Sequence, residues 1–390
     1  MRAMPPEPLK TLLVVPSIDP LGRLSAGGAE RMARNLCLAF DRSRVTPLLL
    51  TYVPHEGLDT ELAAAGVRSF VLPKRAKLDL RLLWGLRRLI VQERIDAVLS
   101  MYQTVNLYNL LATPTVRGVG CLIRVARVGL PRRIVQTEGR LSHRADFLLF
   151  NSEAAAAAVR GKYTIPPERF RIIPNGCDTR RFAHVPYERR AASREALGLP
   201  VDAFVLYTPN RIHANKGQDL LAAALAGRPE LLAKHNVVWV NTGAVQDRQL
   251  AAAIRSTCAP LGERVRLLPP TDEPEAWIAA SDAVVIPSRT ESFPNTLLET
   301  ASVGRPALVT ACGAAREVAP QLGALLVEPD SAEALSDGLR TLLAMPASEL
   351  STRGAAAAEV VRTRYSIAAA ADRYADAIAE AAARRRRPRR

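Results

Sequence analysis

Residues 282–310 read DAVVIPSRTESFPNTLLETASVGRPALVT. The run DAVVIPS is short, apolar and rich in β-branched residues, as a strand buried on both faces must be. Pro294 suits the first position of a helix, and the helix continues through Leu297 and Leu298 to Gly304, a good C-terminal cap ahead of Pro306. RPALVT then reads as a second strand. Strand, helix and strand in this order form a parallel βαβ unit, with the helix as the crossover that parallel strands require.

The same alternation continues on both sides. GALLVEP follows as a strand, and RVRLLPP, NVVWVNTG and AFVLYTPN (203–210) precede as strands, with a helix over Gln218–Ala226. A polar segment covers 179–198. Before it the pattern runs once already, from TLLVVP (11–16) to FRIIPNG (170–176), with helices at 29–40, 59–65, 79–93 and 152–159 between short apolar runs. Two successive doubly wound α/β halves fit this, and no short-period repeat suggests a solenoid. The expected organisation is a first Rossmann-like domain over 1–184 and a second over 185–365. A helix over 366–383 is expected to pack back on the first domain, ahead of a disordered Arg-rich tail at 384–390.

Hydrophobic content of 48% and charged content of 23% are those of ordinary globular proteins. No stretch approaches the roughly 20 apolar residues that cross a bilayer. The opening MRAMPPEPLK lacks the apolar core of a secretion signal, so a cytoplasmic location is expected. Cys37, Cys121, Cys177, Cys258 and Cys312 are scattered without metal spacing and read as small buried hydrophobes in a reducing compartment. The net charge of +15 is uneven: residues 1–184 carry +13, residues 185–383 carry −4, and the tail RRRRPRR carries +6. An anionic partner for the first half follows: a membrane surface, a nucleic acid or a phosphorylated substrate. A genome rich in Arg and Ala codons explains the same bias. No aromatic residue interleaves the Arg run and no recognition motif appears, which argues against specific nucleic-acid binding.

In doubly wound sheets, ligands bind beyond the carboxyl ends of the strands. ESFPNTLLE (291–299) sits at such an end. Free N–H groups over 293–296, at the helix start, offer an anion site, with Glu291 just before it and Glu299 inside the helix. Ser292, Phe293, Pro294, Asn295 and Thr296 would line it. Carboxylates accept hydrogen bonds from sugar hydroxyls; equally, Glu291 could only cap the helix and Glu299 pair with a surface Arg. The loop TPNRIHANKGQDLL adds Arg211 and Lys216, a fork and a point charge able to neutralise a diphosphate without metal. No D-x-D triplet occurs anywhere in the chain. Gly27 and Gly28, before the first helix, would let backbone approach a phosphate.

Taken in order, GGAER (27–31), NSEAAAAAV, IIPNGCD, PNRIHANKG, the stretch quoted first and CGAAREV resemble the family-4 retaining glycosyltransferases over nearly the whole chain. The resemblance implies the GT-B architecture: two Rossmann-like, doubly wound parallel-sheet domains facing a cleft. It implies that Glu291 contacts the donor sugar, Glu299 the nucleotide ribose, and Arg211 and Lys216 the donor diphosphate. It implies transfer with retention, with no enzymic nucleophile and no metal or other cofactor. The chain departs from the pattern at Ser292, where many members carry Gly, and at MYQTVN (101–106), which has no His. The expected function is metal-independent transfer of a sugar, UDP-linked on base rates, to a lipid-linked or cell-surface glycan at the inner face of a membrane. An epimerase acting on nucleotide sugars with the same architecture is the rival enzyme, but it would need an acid/base pair beside the sugar, and none is found.

Overall fold

The computed structural model describes residues 7–16, 28–52, 56–75, 79–125 and 132–386. The chain divides into two compact units, one formed by Met1–Gly176 with Ile367–Arg390 and the other by Cys177–Ser366. The division falls at 176/177, a few residues before the sequence-based boundary.

The first unit alternates β1 (Leu9–Val14), α1 (Gly28–Ala39), β2 (Val45–Thr51), α2 (Glu56–Ala64), β3 (Arg68–Val71) and α3 (Leu80–Gln92). It continues with β4 (Ala97–Ser100), α4 (Gln103–Ala112), β5 (Gly120–Val125), α5 (Arg132–Leu141), β6 (Phe147–Phe150), α6 (Glu153–Val159) and β7 (Phe170–Ile172). All seven strands are parallel, in the order β3-β2-β1-β4-β5-β6-β7. Leu12, Leu13 and Val14 are fully buried because parallel strands carry helices on both faces.

The second unit contains α7 (Arg190–Ala196), β8 (Phe204–Thr208), α8 (Gln218–Ala226), α9 (Pro229–Lys234), β9 (Val237–Thr242), α10 (Arg248–Cys258) and β10 (Val265–Leu268). After these come α11 (Pro274–Ala280), β11 (Ala283–Ile286), α12 (Asn295–Val303), β12 (Ala307–Thr310), α13 (Ala315–Val318), β13 (Leu325–Val327), α14 (Ala332–Leu343) and α15 (Ala347–Arg364). Its strand order is β10-β9-β8-β11-β12-β13, again all parallel. The order reverses at β8/β11, and in doubly wound sheets ligands bind beyond the carboxyl ends of the strands at such a switch point.

The polar segment at 179–198 is not a plain linker. Arg194 is buried and donates to the carbonyls of Ala280, Val201 and Ala203 and to Asp282, whose carboxylate also takes hydrogen bonds from Tyr187, Arg190 and the Val205 backbone. Arg305, equally buried, donates to four backbone carbonyls, and burial pushes its guanidinium down to about 10.

A final helix, α16 (Ile367–Arg386), packs on β5 and α1 with Ala370, Tyr374, Ile378 and Ala381 buried. It runs three residues into the Arg run that the sequence suggested was disordered. The reason is pairing: Arg385 meets Asp146 at 2.8 Å and Arg386 meets Asp96 at 2.5 Å. Arg387 to Arg390 lie outside the described residues. Among the described residues, no helix is long and apolar enough to cross a membrane.

Near the carboxyl ends of β4 and β5, the first unit buries a polar group. Glu138 Oε1 accepts from the Tyr163 hydroxyl (2.9 Å) and from Asn106 Nδ2 (3.3 Å), while Oε2 has no partner among the described residues. Burial pushes this carboxyl up to about 7, against the pull of the two hydrogen bonds.

Candidate functional site

The candidate site in the second unit is built from the loops after β8 and β11. After β8 the chain makes a short 3₁₀ turn over Ala214–Lys216, capped by the His213 ring accepting from Asn215 N, and then enters α8 through Gly217. Gly217 has φ +67°, and a Cβ there would overlap the Pro287 carbonyl oxygen. The loop after β8 thus lies directly on the loop after β11, and only glycine permits it.

Arg289 joins the two loops. Its backbone N–H donates to the Asn215 carbonyl at 2.9 Å, and its guanidinium to the Ala214 carbonyl at 2.8 Å. The same guanidinium forks onto Asp219 at 2.8 and 2.7 Å and reaches Asp330 at 2.6 Å. Asp219 is thereby held below the usual carboxylate range, chiefly by the Arg289 hydrogen bonds.

This scaffold brings Lys216 onto Glu291. Lys216 Nζ donates to Glu291 Oε1, and the Ser288 hydroxyl donates to the same oxygen at 2.9 Å. Each side chain of the ion pair is 17% exposed. From behind, Gly313 (φ +52°) abuts the Glu291 carbonyl oxygen so closely that a Cβ would overlap it. Thr310 Oγ1 donates to the Ser288 carbonyl at 2.5 Å.

Helix α12 begins at Asn295, four residues after Glu291. Pro294 stands at the cap rather than at the first helical position, and no side chain caps the helix. The first turn is not wholly free, as the sequence suggested: Asn295 N–H donates to the Phe293 carbonyl and Leu297 N–H to the Pro294 carbonyl, both at 3.0 Å. Phe293 and Pro294 are buried; Ser292, Asn295 and Thr296 are half-buried around the terminus. Glu299, half-buried one turn further in, lies close enough to Cys177 that burial first, and the Glu299 carboxylate second, push that thiol up. Gly304 ends the helix at φ +86°.

Of the residues singled out by sequence, Lys216, Glu291, Ser292, Phe293, Pro294, Asn295, Thr296 and Glu299 gather in one neighbourhood of the second unit. Arg211 belongs to the same loop, but its side chain is exposed and makes no ion pair among the described residues; its carbonyl accepts from Gln218 Nε2 at 2.8 Å. Gly28 opens α1 in the first unit, and Gly27 lies outside the described residues. Sequence reasoning missed Arg289, Ser288, Asp219 and Gly313. Arg289 and Ser288 stood inside the quoted stretch, but a loop Arg and Ser look the same whether they bridge loops or face water. Among the described residues, no group of three His, Cys, Asp or Glu side chains could hold a metal ion.

Comparisons with known proteins identify the family and the fold. Residues 203–345 match the family model "Glycosyl transferases group 1", and residues 26–181 match "Glycosyltransferase Family 4". A D-inositol 3-phosphate glycosyltransferase from Thermobispora bispora is 32% identical over 220 residues, 50% of this chain and 51% of the relative. One from Xylanimonas cellulosilytica is 30% identical over 289 residues, 70% of this chain and 67% of the relative. The match spans about half the length of the first curated relatives, 51% and 52%. A glycosyltransferase structure from Rickettsia africae superposes with a TM-score of 0.83 at 18% identity, covering 96% of this chain and 98% of that one. The Anabaena HepE structure in complex with UDP gives 0.82 at 19% identity, with 95% and 100% covered. The structural likeness extends to the whole fold and the sequence likeness to both units: this chain belongs to the group 1, family-4 glycosyltransferases and has the GT-B fold.

Proposed function

We propose that this protein transfers a sugar, with retention and without metal, from a UDP-linked donor to a hydroxyl of a lipid-linked or cell-surface glycan at the cytoplasmic face of a membrane. The observation that carries the reading is the half-shielded Lys216–Glu291 pair beside the uncapped N-terminus of α12, at the reversal of the sheet. A bound diphosphate would take Glu291's place as the partner of Lys216, with Arg211 and the positive end of the α12 dipole adding positive potential. Glu291, released from its ion pair, would then accept hydrogen bonds from sugar hydroxyls. Glu299, further along the helix, is suited to the ribose.

The bond from the anomeric carbon to the β-phosphate oxygen breaks, and charge accumulates on that phosphate. Lys216, Arg211 and the helix terminus stabilise it as a preorganised electrostatic site. The acceptor oxygen attacks on the same face, and its proton passes to the departing phosphate. Nothing in this sequence of events requires a protein nucleophile.

The +13 charge of residues 1–184 suits an anionic acceptor or the surface that carries it. A second acceptor reading is a soluble sugar or polyol phosphate, favoured by the D-inositol 3-phosphate named for the matched relatives. The deciding experiment is hydrolysis of a panel of nucleotide sugars without acceptor, followed by release of nucleoside diphosphate. Lys216→Ala should lower the rate by about 10²–10³ fold, the effect of removing one transition-state donor. Equal rates for Lys216→Ala and wild type, or turnover of no nucleotide sugar at all, would sink the reading.

A further inference from the structure

Helix α3 carries two apolar stripes where one is enough for folding. Leu82, Leu86, Leu89 and Ile90 are buried in the first unit's core. On the far side, Leu80, Trp84 and Val91 are 62%, 75% and 56% exposed. Six large apolar side chains among the described residues are exposed, and the three most exposed all lie on this one helix. At 3.6 residues per turn, positions 80, 84, 87 and 91 fall within an arc of roughly 60° along about 16 Å of helix. Single exposed apolar residues are ordinary; an aligned row is not.

The charges around the row have one sign. Arg87 lies within the arc and Arg81 and Arg88 flank it, all three exposed. Arg87 also donates to Thr115, at 2.6 Å to the hydroxyl and 3.2 Å to the carbonyl. The helix contains no Asp or Glu. Asp79, its N-cap, is buried and accepts from the backbone N–H groups of Arg75 and Arg81. Glu93, just beyond its end, is engaged in a fork with Arg68 at 2.7 and 2.8 Å. Indole and guanidinium groups on one helix face match the boundary between lipid headgroups and acyl chains, where Trp concentrates and long cations reach outward to phosphates.

We propose that the Leu80–Trp84–Val91 face of α3 docks this protein on an anionic membrane surface, with Trp84 inserted at the headgroup level. The inference rests on the reading that the acceptor is membrane-borne, and it adds the surface and the lipid class. A neutral protein groove would not call for three cations around the row, whereas phosphate headgroups do.

The test uses the full chain with vesicles of equal parts phosphatidylglycerol and phosphatidylcholine, and with pure phosphatidylcholine. The other two tryptophans, Trp239 and Trp277, lie in the second unit, one buried and one half-buried, so a change in emission reports Trp84. The anionic vesicles should shift that emission to the blue, and brominated acyl chains should quench it. Trp84→Ser should lower partition about ten-fold or more. Arg81→Gln with Arg88→Gln should lower it roughly 25-fold, since each arginine near an anionic surface contributes about five-fold. Val201→Ser and Val245→Ser, at exposed apolar positions of the second unit, should change nothing.

Equal partition of wild type and Trp84→Ser, no binding to anionic vesicles at low salt, or a dimer that dissolves in Trp84→Ser would each overturn the proposal. UDP titration of the same samples separates this from the catalytic reading. Nucleotide binding without docking removes only the membrane surface, and docking without nucleotide binding removes only the proposed function.

Discussion

Replacing Arg289 by Ala should loosen the donor loop without touching the donor. The substitution removes the fork to Asp219, the bond to the Ala214 carbonyl and the contact with Asp330. Asp330 is 70% exposed and its contact adds little. The fork is better shielded, with Arg289 26% and Asp219 32% exposed. Charge-assisted bonds contribute about 1.5–3 kcal/mol each when shielded, and far less in water. A discounted total of about 2–3 kcal/mol follows. For a unit of this size the melting temperature should fall by about 4–12 °C. The turn holding Lys216 then loses its anchor, and UDP affinity should fall about ten-fold, equivalent to about 1.4 kcal/mol. Arg289→Lys keeps the charge but not the fork, so it should recover only part of both losses.

The sign of the pH dependence follows from Asp219. Its carboxyl is held down in the folded state, so its stabilising contribution is present above the ordinary value of 3.8 and disappears as pH falls below it. The melting gap between wild type and Arg289→Ala should therefore narrow on acidification to about pH 3. Thermal denaturation across this range, paired with UDP titration calorimetry, measures both effects. An unchanged melting temperature with a large loss of UDP affinity would falsify the positioning role, because Arg289 would then be contacting the nucleotide itself.

Three further outcomes are expected. Glu299→Ala should weaken binding of free UDP, whereas Glu291→Ala should leave UDP affinity nearly intact while lowering turnover, because free UDP lacks the sugar assigned to Glu291; isothermal titration with a turnover assay separates them. Turnover should survive EDTA, and complete loss restored by Mg²⁺ or Mn²⁺ would show that a metal does the work assigned to Lys216 and Arg211. Glu138 has a raised carboxyl pKa of about 7, so the stability it contributes is full below about 4.5 and is lost as pH rises through 7. Glu138→Gln should therefore gain on wild type by up to about 3 kcal/mol between pH 5 and pH 8, read from urea unfolding of the two chains.

Much of the fold was legible because parallel strands leave a strong trace. β8, β9 and β11 are short apolar runs closed by Pro, Asn or Ser, and the helix over Gln218–Ala226 has the bounds its pattern gave. What stayed hidden depends on contacts distant in sequence. Arg194 and Arg305 look like surface cations until the carbonyls and the Asp282 carboxylate around them are in place. The Arg run of the tail looked solvated for the same reason, because Asp96 and Asp146 are hundreds of residues away. In the candidate site, Glu291, Glu299 and Lys216 could be placed at strand ends by pattern, and their roles could be read only from the resemblance. Their support by Arg289 and Gly313 could not, since it depends on how three strand-end loops stack.

Because α16 returns to the first unit, that unit is interrupted in the chain by all of the second. On the ribosome, β1 to β7 emerge first, yet the seam beside α1 that takes Tyr374, Ile378 and Ala381 stays open until α16 has been made. At about 5–20 residues per second, the intervening segment takes tens of seconds at the slower rates. Throughout that interval the second unit, continuous in sequence, is free to fold to completion, while the first waits with an apolar seam open to chaperones or to neighbouring nascent chains. Any truncation upstream of α16 should thus release a well-folded second unit attached to a sticky, unfinished first one.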